Sequence, residues 1–159
     1  MDAYLKYFNI TCFRIIPSVN ETLPGRVVEV VNKTTFDPKI KETLSRGGVI
    51  DITTQGRKSG KPRRIEIVFH AIDGKTYISG MPKFPRGWLA NLAADPHFTF
   101  HLKGPVKADL PATARIITDE AERRRLLEPI AKGWRRKDLD VMVDSSPLIE
   151  VSFEDASKN

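Results

Sequence analysis

The 159-residue sequence has a single cysteine, Cys12, so it cannot form an internal disulfide. Neither a second cysteine nor a histidine cluster stands beside it, which leaves no zinc-ligand spacing. Long apolar runs are also missing. The widest gap between charged residues is the eight positions from Gly87 to Ala94, against the ~20 apolar residues that cross a bilayer as a helix. Lys6 and Arg14 interrupt the aromatic-rich opening and no small-residue cleavage site follows, which argues against a signal peptide. The expectation is a soluble, reduced, cytoplasmic protein without a transmembrane segment. Aromatic residues make up only 8% of the chain, a poor supply for a surface that stacks bases.

Acid is in short supply as well: 20 Asp and Glu stand against 26 Lys and Arg, a net charge of +6. The excess falls in two places. Residues 57–64 hold five cations (Arg57, Lys58, Lys61, Arg63, Arg64) and no acid. Residues 123–137 hold seven cations against Glu128 alone. Such clusters attract anions, whether nucleic acid, anionic lipid or a phosphorylated cofactor, unless each charge is merely solvated or paired.

Hydrophobic residues are 40% of the chain, enough for one core in a chain of this length. Residues 1–36 mix apolar runs with Pro17, Pro24 and Gly25 and show no helix period; they read as an N-terminal arm or added strand. The main domain is then 37–159. Asp37-Pro38 is an N-cap followed by proline in the first turn, and Gly47-Gly48 ends a short helix. Strands are expected at 49–54, 63–72 and 75–79, the last two joined by the primed-turn signal Asp73-Gly74. A short helix over 88–94 stops at Asp95-Pro96. In 97–102, Phe98, Phe100 and Leu102 take one face; His97, Thr99 and His101 are expected on a polar, exposed one. A strand over 107–117 should break at Pro111, a helix capped by 118–120 should end near Leu127, and a last strand spans 148–153. Six short strands and three short helices predict a mainly β fold with α decorations, an antiparallel β-barrel.

Gly56 to Lys61 fails as a phosphate-binding P-loop. Three residues rather than four separate its glycines, Pro62 replaces the needed Ser or Thr, and it joins strand to strand. It is instead a glycine-bracketed turn bearing Arg57, Lys58 and Ser59, followed by a strand opening on Arg63 and Arg64. On that strand Arg63, Ile65 and Ile67 share one face; Arg64, Glu66 and Val68 share the other. Guanidinium forks grip phosphate and carboxylate at two points, so an anionic ligand suits this strand. The helix behind Pro85 and Gly87 offers free backbone amides, with Trp88 and Asn91 neighbours on it. No hydroxyl, thiol or paired-carboxylate constellation for hydrolysis emerges, and His97 and His101 lie too far apart along a strand to share a metal.

The run Ile52-Thr53-Thr54-Gln55-Gly56-Arg57-Lys58-Ser59-Gly60-Lys61-Pro62-Arg63, the Asp-Gly hairpin, and Trp88-x-x-Asn91-Leu92-x-x-Asp95-Pro96 come in that order. Together, over about residues 47–130, they closely resemble the deazaflavin-dependent nitroreductase family. The resemblance implies the split β-barrel shared with FMN-binding oxidoreductases. It also implies the coenzyme F420, a hydride carrier with a phosphodiester and an oligoglutamate tail. Carried onto this sequence, Arg57, Lys58, Ser59 and Arg63 would hold the phosphate and tail. Arg64, Ile65, Glu66, Ile67 and Val68 would run beside the ring, while Gly87, Trp88 and Asn91 would close the groove. The expected reaction passes hydride from reduced F420 to a small activated acceptor: an enone, a quinone or a nitro compound. Relatives of the nitroreductase type use a Ser-Lys-Gly-Gly-like loop and C-terminal tyrosines. Here the loop reads Ser79-Gly80-Met81-Pro82-Lys83, and the tyrosines are Tyr4, Tyr7 and Tyr77, so Trp134 is the candidate for that wall and Tyr77 or His70 for a proton donor.

Two other readings fit parts of the pattern. The same barrel could hold FMN, haem or a lipid, though five cations in eight positions suit a ligand of several charges better than FMN's one phosphate. A non-catalytic barrel binding nucleic acid would need stacking aromatics, and Phe98 and Phe100 read as core. A homodimer is compatible with the sequence.

Overall fold

The computed structural model describes residues 36–154; the expected arm therefore lies outside the described residues except for Phe36. Helix α1 (Pro38–Arg46) begins where the Asp37 carboxylate accepts the Lys39 amide at 2.8 Å, and Leu44 is its buried anchor. Gly47, at φ 70°, provides the left-handed residue that ends it. Strands β1 (Gly48–Gln55), β2 (Pro62–Ile72) and β3 (Lys75–Ser79) follow. Asp73 and Gly74 both have positive φ, 52° and 74°, the geometry of a two-residue primed turn matched to strand twist. Then come α2 (Gly87–Ala94), β4 (His97–Leu102), β5 (Ala108–Ile116), α3 (Glu120–Gly133), α4 (Leu139–Ser145) and β6 (Leu148–Phe153). The six strands close a barrel in the order β1-β2-β3-β6-β5-β4, each pair antiparallel.

Alternation divides the apolar residues between two cores. Ile50, Ile52, Phe69, Ile78, Phe100 and Ile149 point into the barrel, where Phe69 meets Phe100 edge-on at 5.2 Å. Tyr77 and Leu148 point outward instead and are roofed by Leu126, Leu127 and Ile130 of α3 and Met142 of α4. Strand β3 is thus covered on both faces, which explains why four of its five residues are buried.

Four expectations need correction. Pro111 does not interrupt β5: it pairs with Thr99, and on its other side β6 has run out, leaving only the Glu154 amide to meet the Pro111 carbonyl. A missing N–H costs little at such a position. Helix α3 continues through Pro129 to Gly133 rather than ending near Leu127. Proline there frees the Arg125 carbonyl, but both residues are exposed and water can serve it. Helix α4 is additional to the three expected helices, so the described residues hold four. His101 is buried rather than exposed, because Thr53 and Asp109 close over it from the two flanking strands.

Candidate functional site

The turn between β1 and β2 is built by its own polar groups. The Gly56 amide donates to the Lys61 carbonyl at 2.9 Å and the Gly60 amide to the Gly56 carbonyl at 2.8 Å. Ser59 Oγ accepts the Lys61 amide at 3.2 Å and keeps its own proton to donate. A side chain at Gly56 would collide with that hydroxyl, since its Cβ would lie 2.6 Å from Ser59 Oγ. Gly60 stands at φ 65°. The tight fold leaves Arg57, Lys58, Lys61 and Arg63 all exposed. Among the described residues none of the four has a carboxylate partner.

Asn91 fixes this turn to α2. Its Nδ2 donates to Thr54 Oγ1 at 3.0 Å and its Oδ1 accepts the Arg57 amide at 3.1 Å. The side chain is buried and its donor and acceptor ends are both engaged, so Asn91 positions the turn and the helix. Trp88 is buried in the barrel core and anchors the same helix. Gly87 is different: a Cβ there would meet nothing within 4 Å, so the helix start lies open to close approach. Arg86, at the N-cap, makes no side-chain cap to the first amides.

Strand β2 carries the second element of the site. It pairs with β1 along its first half, from Pro62 to Phe69, but β3 pairs only Phe69 to Ile72. Among the described residues no strand covers the opposite edge of 62–68. Ile72 and Lys75 flank the two-residue turn and so exchange both of their backbone bonds. Alternation from that pair aims the amides and carbonyls of Arg64, Glu66 and Val68 at the open edge. Side chains divide as the sequence predicts. Ile65 and Ile67 pack on the barrel core, whereas Arg64 and Glu66 stand on the outer face. There Arg64 Nε meets Asp51 Oδ2 at 2.9 Å, and Lys103 pairs with both Asp51 and Glu66. The Lys103 ammonium, with Arg64 beside it, holds Asp51 below the usual carboxylate range. Arg64 and Glu66 thus offer the open edge their backbone, their charges being spent on neighbours.

Beyond Val68 the strand passes under α3. His70 is buried against Trp134, ring centroids 5.4 Å apart, and burial lowers its pKa to about 4. It is neutral at pH 7 and lacks the acidic imidazolium proton. Tyr77 is held protonated by burial and by Glu150, to which its hydroxyl donates at 3.5 Å.

The second basic stretch looks quite different. Arg123 turns inward and donates to the carbonyls of Ile117, Met142, Val143 and Ser146. Arg124 pairs with Asp140, Arg125 with Asp73, Lys132 with Glu128 and Arg136 with Asp138. By composition both stretches qualify as anion sites. The structure shows which cations have partners and which stand free of them.

Solved structures share this architecture. A conserved hypothetical protein from Mycobacterium tuberculosis superposes with TM-score 0.60 at 17% identity over 75% of this chain and 81% of its own. An FAD-binding protein from Mesorhizobium loti gives TM-score 0.52 at 13% identity, covering 73% of this chain and 88% of its own. A NimC/NimA family protein from Clostridium acetobutylicum gives TM-score 0.52 at 14% identity over 72% and 80%. These likenesses define the class by fold: a split β-barrel. The model of the F420H2-dependent quinone reductase family matches residues 26–149, and the chain belongs to that family. It is accordingly an F420H2-dependent reductase, with F420H2 as its cofactor and a quinone-type compound as its acceptor. No curated protein matches the sequence. No helix among the described residues is long and apolar enough to cross a membrane.

Proposed function

We propose that the turn 56–61, the open edge of β2 and the start of α2 together form the F420 groove. The observation that carries this reading is the set of four exposed cations that have no carboxylate partner among the described residues, beside a strand edge that no described strand pairs. A phosphodiester and an acidic tail satisfy Arg57, Lys58, Lys61 and Arg63, and Ser59 donates its remaining proton to a phosphate oxygen. A planar ring with amide-like edges matches the outward backbone groups of Arg64, Glu66 and Val68. Gly87 leaves room for the ligand at the helix start, while Asn91 and Trp88 act from behind by fixing helix and turn.

When bound, the reduced deazaflavin supplies the hydride that reduces the acceptor. The chain contributes position: Asn91 ties the tail turn to α2, and the β1 ladder keeps the open edge straight. Neutral His70 and the Glu150-bound Tyr77 are poor proton donors, so solvent protonates the reduced acceptor. A nucleic-acid role is disfavoured because Phe98 and Phe100 are buried inside the barrel and offer no stacking platform.

Titration of the purified protein with oxidised F420, followed by coenzyme fluorescence with FMN as competitor, tests the assignment. Saturable binding that excess FMN cannot displace supports it. Displacement by FMN would mean that one phosphate suffices and that the acidic tail finds no partner in the turn.

A further inference from the structure

Helix α2 has a second flank. Trp88, Asn91 and Leu92 turn toward the barrel and the basic turn, whereas Leu89, Ala90 and Ala93 line a cleft of about 560 Å³. Ile116, Ile117 and Leu148 contribute to its other walls, and Phe84, 64% exposed, stands at its lip. That volume lies in the range of small-molecule sites, which are mostly apolar with a few fixed polar groups.

Two of the lining residues keep buried polar atoms without a protein partner among the described residues: Arg86 Nε and Ser146 Oγ. Ser146 is 3% exposed, so its hydroxyl is nearly sealed from bulk water. They belong to one corner. A Cβ placed on Gly80 would lie 3.2 Å from Pro147, the residue after Ser146, and 3.5 Å from the Arg86 guanidinium carbon. Arg86 is steered there by its bond to the Met81 carbonyl at 3.0 Å and by Phe84, whose ring centroid lies 5.6 Å away. Among the described residues it has no carboxylate partner. The other charges of the cleft, Arg123 and Asp144, offset each other, which leaves one net positive charge at an apolar wall. Unsatisfied buried donors cost free energy, and an acceptor oxygen brought to that corner would recover part of it.

We propose that this cleft is a second small-molecule site that binds an amphipathic carboxylate. The carboxylate pairs with the Arg86 guanidinium at the corner beside Ser146, and the apolar body lies along Leu89, Ala93 and Phe84. The site is separate from the coenzyme groove, on the opposite flank of α2, and its occupation needs no F420.

Calorimetric titration of the full chain with dodecanoate, and with dodecanol and dodecyltrimethylammonium as neutral and cationic probes, tests this. Dodecanoate should bind saturably and dodecanol at least about ten-fold more weakly, because a charge-assisted contact is lost. Ala93→Trp, which fills the cleft, should abolish dodecanoate binding while F420 affinity stays unchanged. Arg86→Met should erase the preference for dodecanoate over dodecanol. Ser146→Ala removes a hydroxyl with no protein partner among the described residues, so it should fold normally and weaken dodecanoate several-fold. Failure of dodecanoate to bind, equal binding of all three probes, or binding that survives Ala93→Trp would overturn the proposal. Because F420 is titrated in parallel, failure here is distinguishable from failure of the coenzyme assignment.

Discussion

Residues 57–64 and 123–137 are both basic on paper, yet the fold treats them differently. Both come from segments rich in Arg and Lys with almost no acid within the segment. In the second stretch the partners arrive from elsewhere: Asp73 lies at the β2–β3 turn, Asp140 on α4, and four backbone carbonyls surround Arg123. In the first, the tight turn projects Arg57, Lys58, Lys61 and Arg63 into solvent, and among the described residues only Arg64, on the outer strand face, finds an acid. Local charge density therefore does not identify an anion site. Whether a charge is met by a partner becomes visible only once the chain has folded, and it is on four such unmet cations clustered in one turn that the proposed groove rests.

The largest test of the contrast is Arg123→Met. Removing the guanidinium strands the carbonyls of Ile117, Met142, Val143 and Ser146 and unties α3 from α4. The expected loss is about 3 kcal/mol, seen as a fall of about 10 °C in Tm. F420 affinity should not change. A comparable effect is expected from acid, through the side chain that Trp134 helps to bury. The folded pKa of His70 lies below its ordinary 6.5, at about 4, so the unfolded chain takes the proton more readily. Stability is full above pH 6.5 and is lost as pH falls toward 4, by about 3 kcal/mol across the window. His70→Phe should flatten that part of a Tm-against-pH curve; an unchanged slope would assign the acid sensitivity to carboxylates such as Asp51 and Glu150.

The opposite pattern is expected of Arg57→Ala/Lys58→Ala. Both side chains are exposed and make no ion pair among the described residues, so Tm should move by no more than about 1 °C. F420 affinity should fall by at least about 100-fold, at ~1.5–3 kcal/mol for each charge-assisted contact. The salt dependence of binding should weaken in step. Unchanged affinity would remove the tail from this turn.

Much of this is legible in the amino-acid sequence. Alternation in His97–Leu102 identifies the inward Phe98, Phe100 and Leu102, and Asp73-Gly74 marks the hairpin, because both signals are local. Features that escape a sequence reading are set by neighbours distant along the chain. His101 is buried by Thr53 and Asp109, whose approach depends on strand register. Helix α4 has only seven residues, too few to show a period, and is held by packing on α3. Of the site, the cations and the glycine turn are readable. The open edge is not, because it arises from the unequal lengths of β2 and β3, eleven residues against five. Asn91 is readable as a candidate, but its bonds to Thr54 and to the Arg57 amide depend on how α2 docks against the turn.

The smallest expected effect is the sharpest check on the comparison. Arg124 and Arg125 are about half exposed, at 45% and 56% of their side chains, and their partners Asp140 and Asp73 are more so. Exposed pairs contribute ~0–1 kcal/mol, because water and salt screen them and two long side chains must be ordered. Arg124→Ala/Arg125→Ala should therefore lower Tm by at most a few degrees, about 3 °C. It should leave F420 affinity unchanged at 0.15 M salt, where the Debye length is about 8 Å. The double variant removes as much formal charge as Arg57→Ala/Lys58→Ala, so net charge is matched between the two experiments. Equal losses of coenzyme affinity would mean that the coenzyme senses the summed field of the protein. A loss confined to the turn variant would mean that it senses contacts, which is what the unpaired cations at 57–63 require.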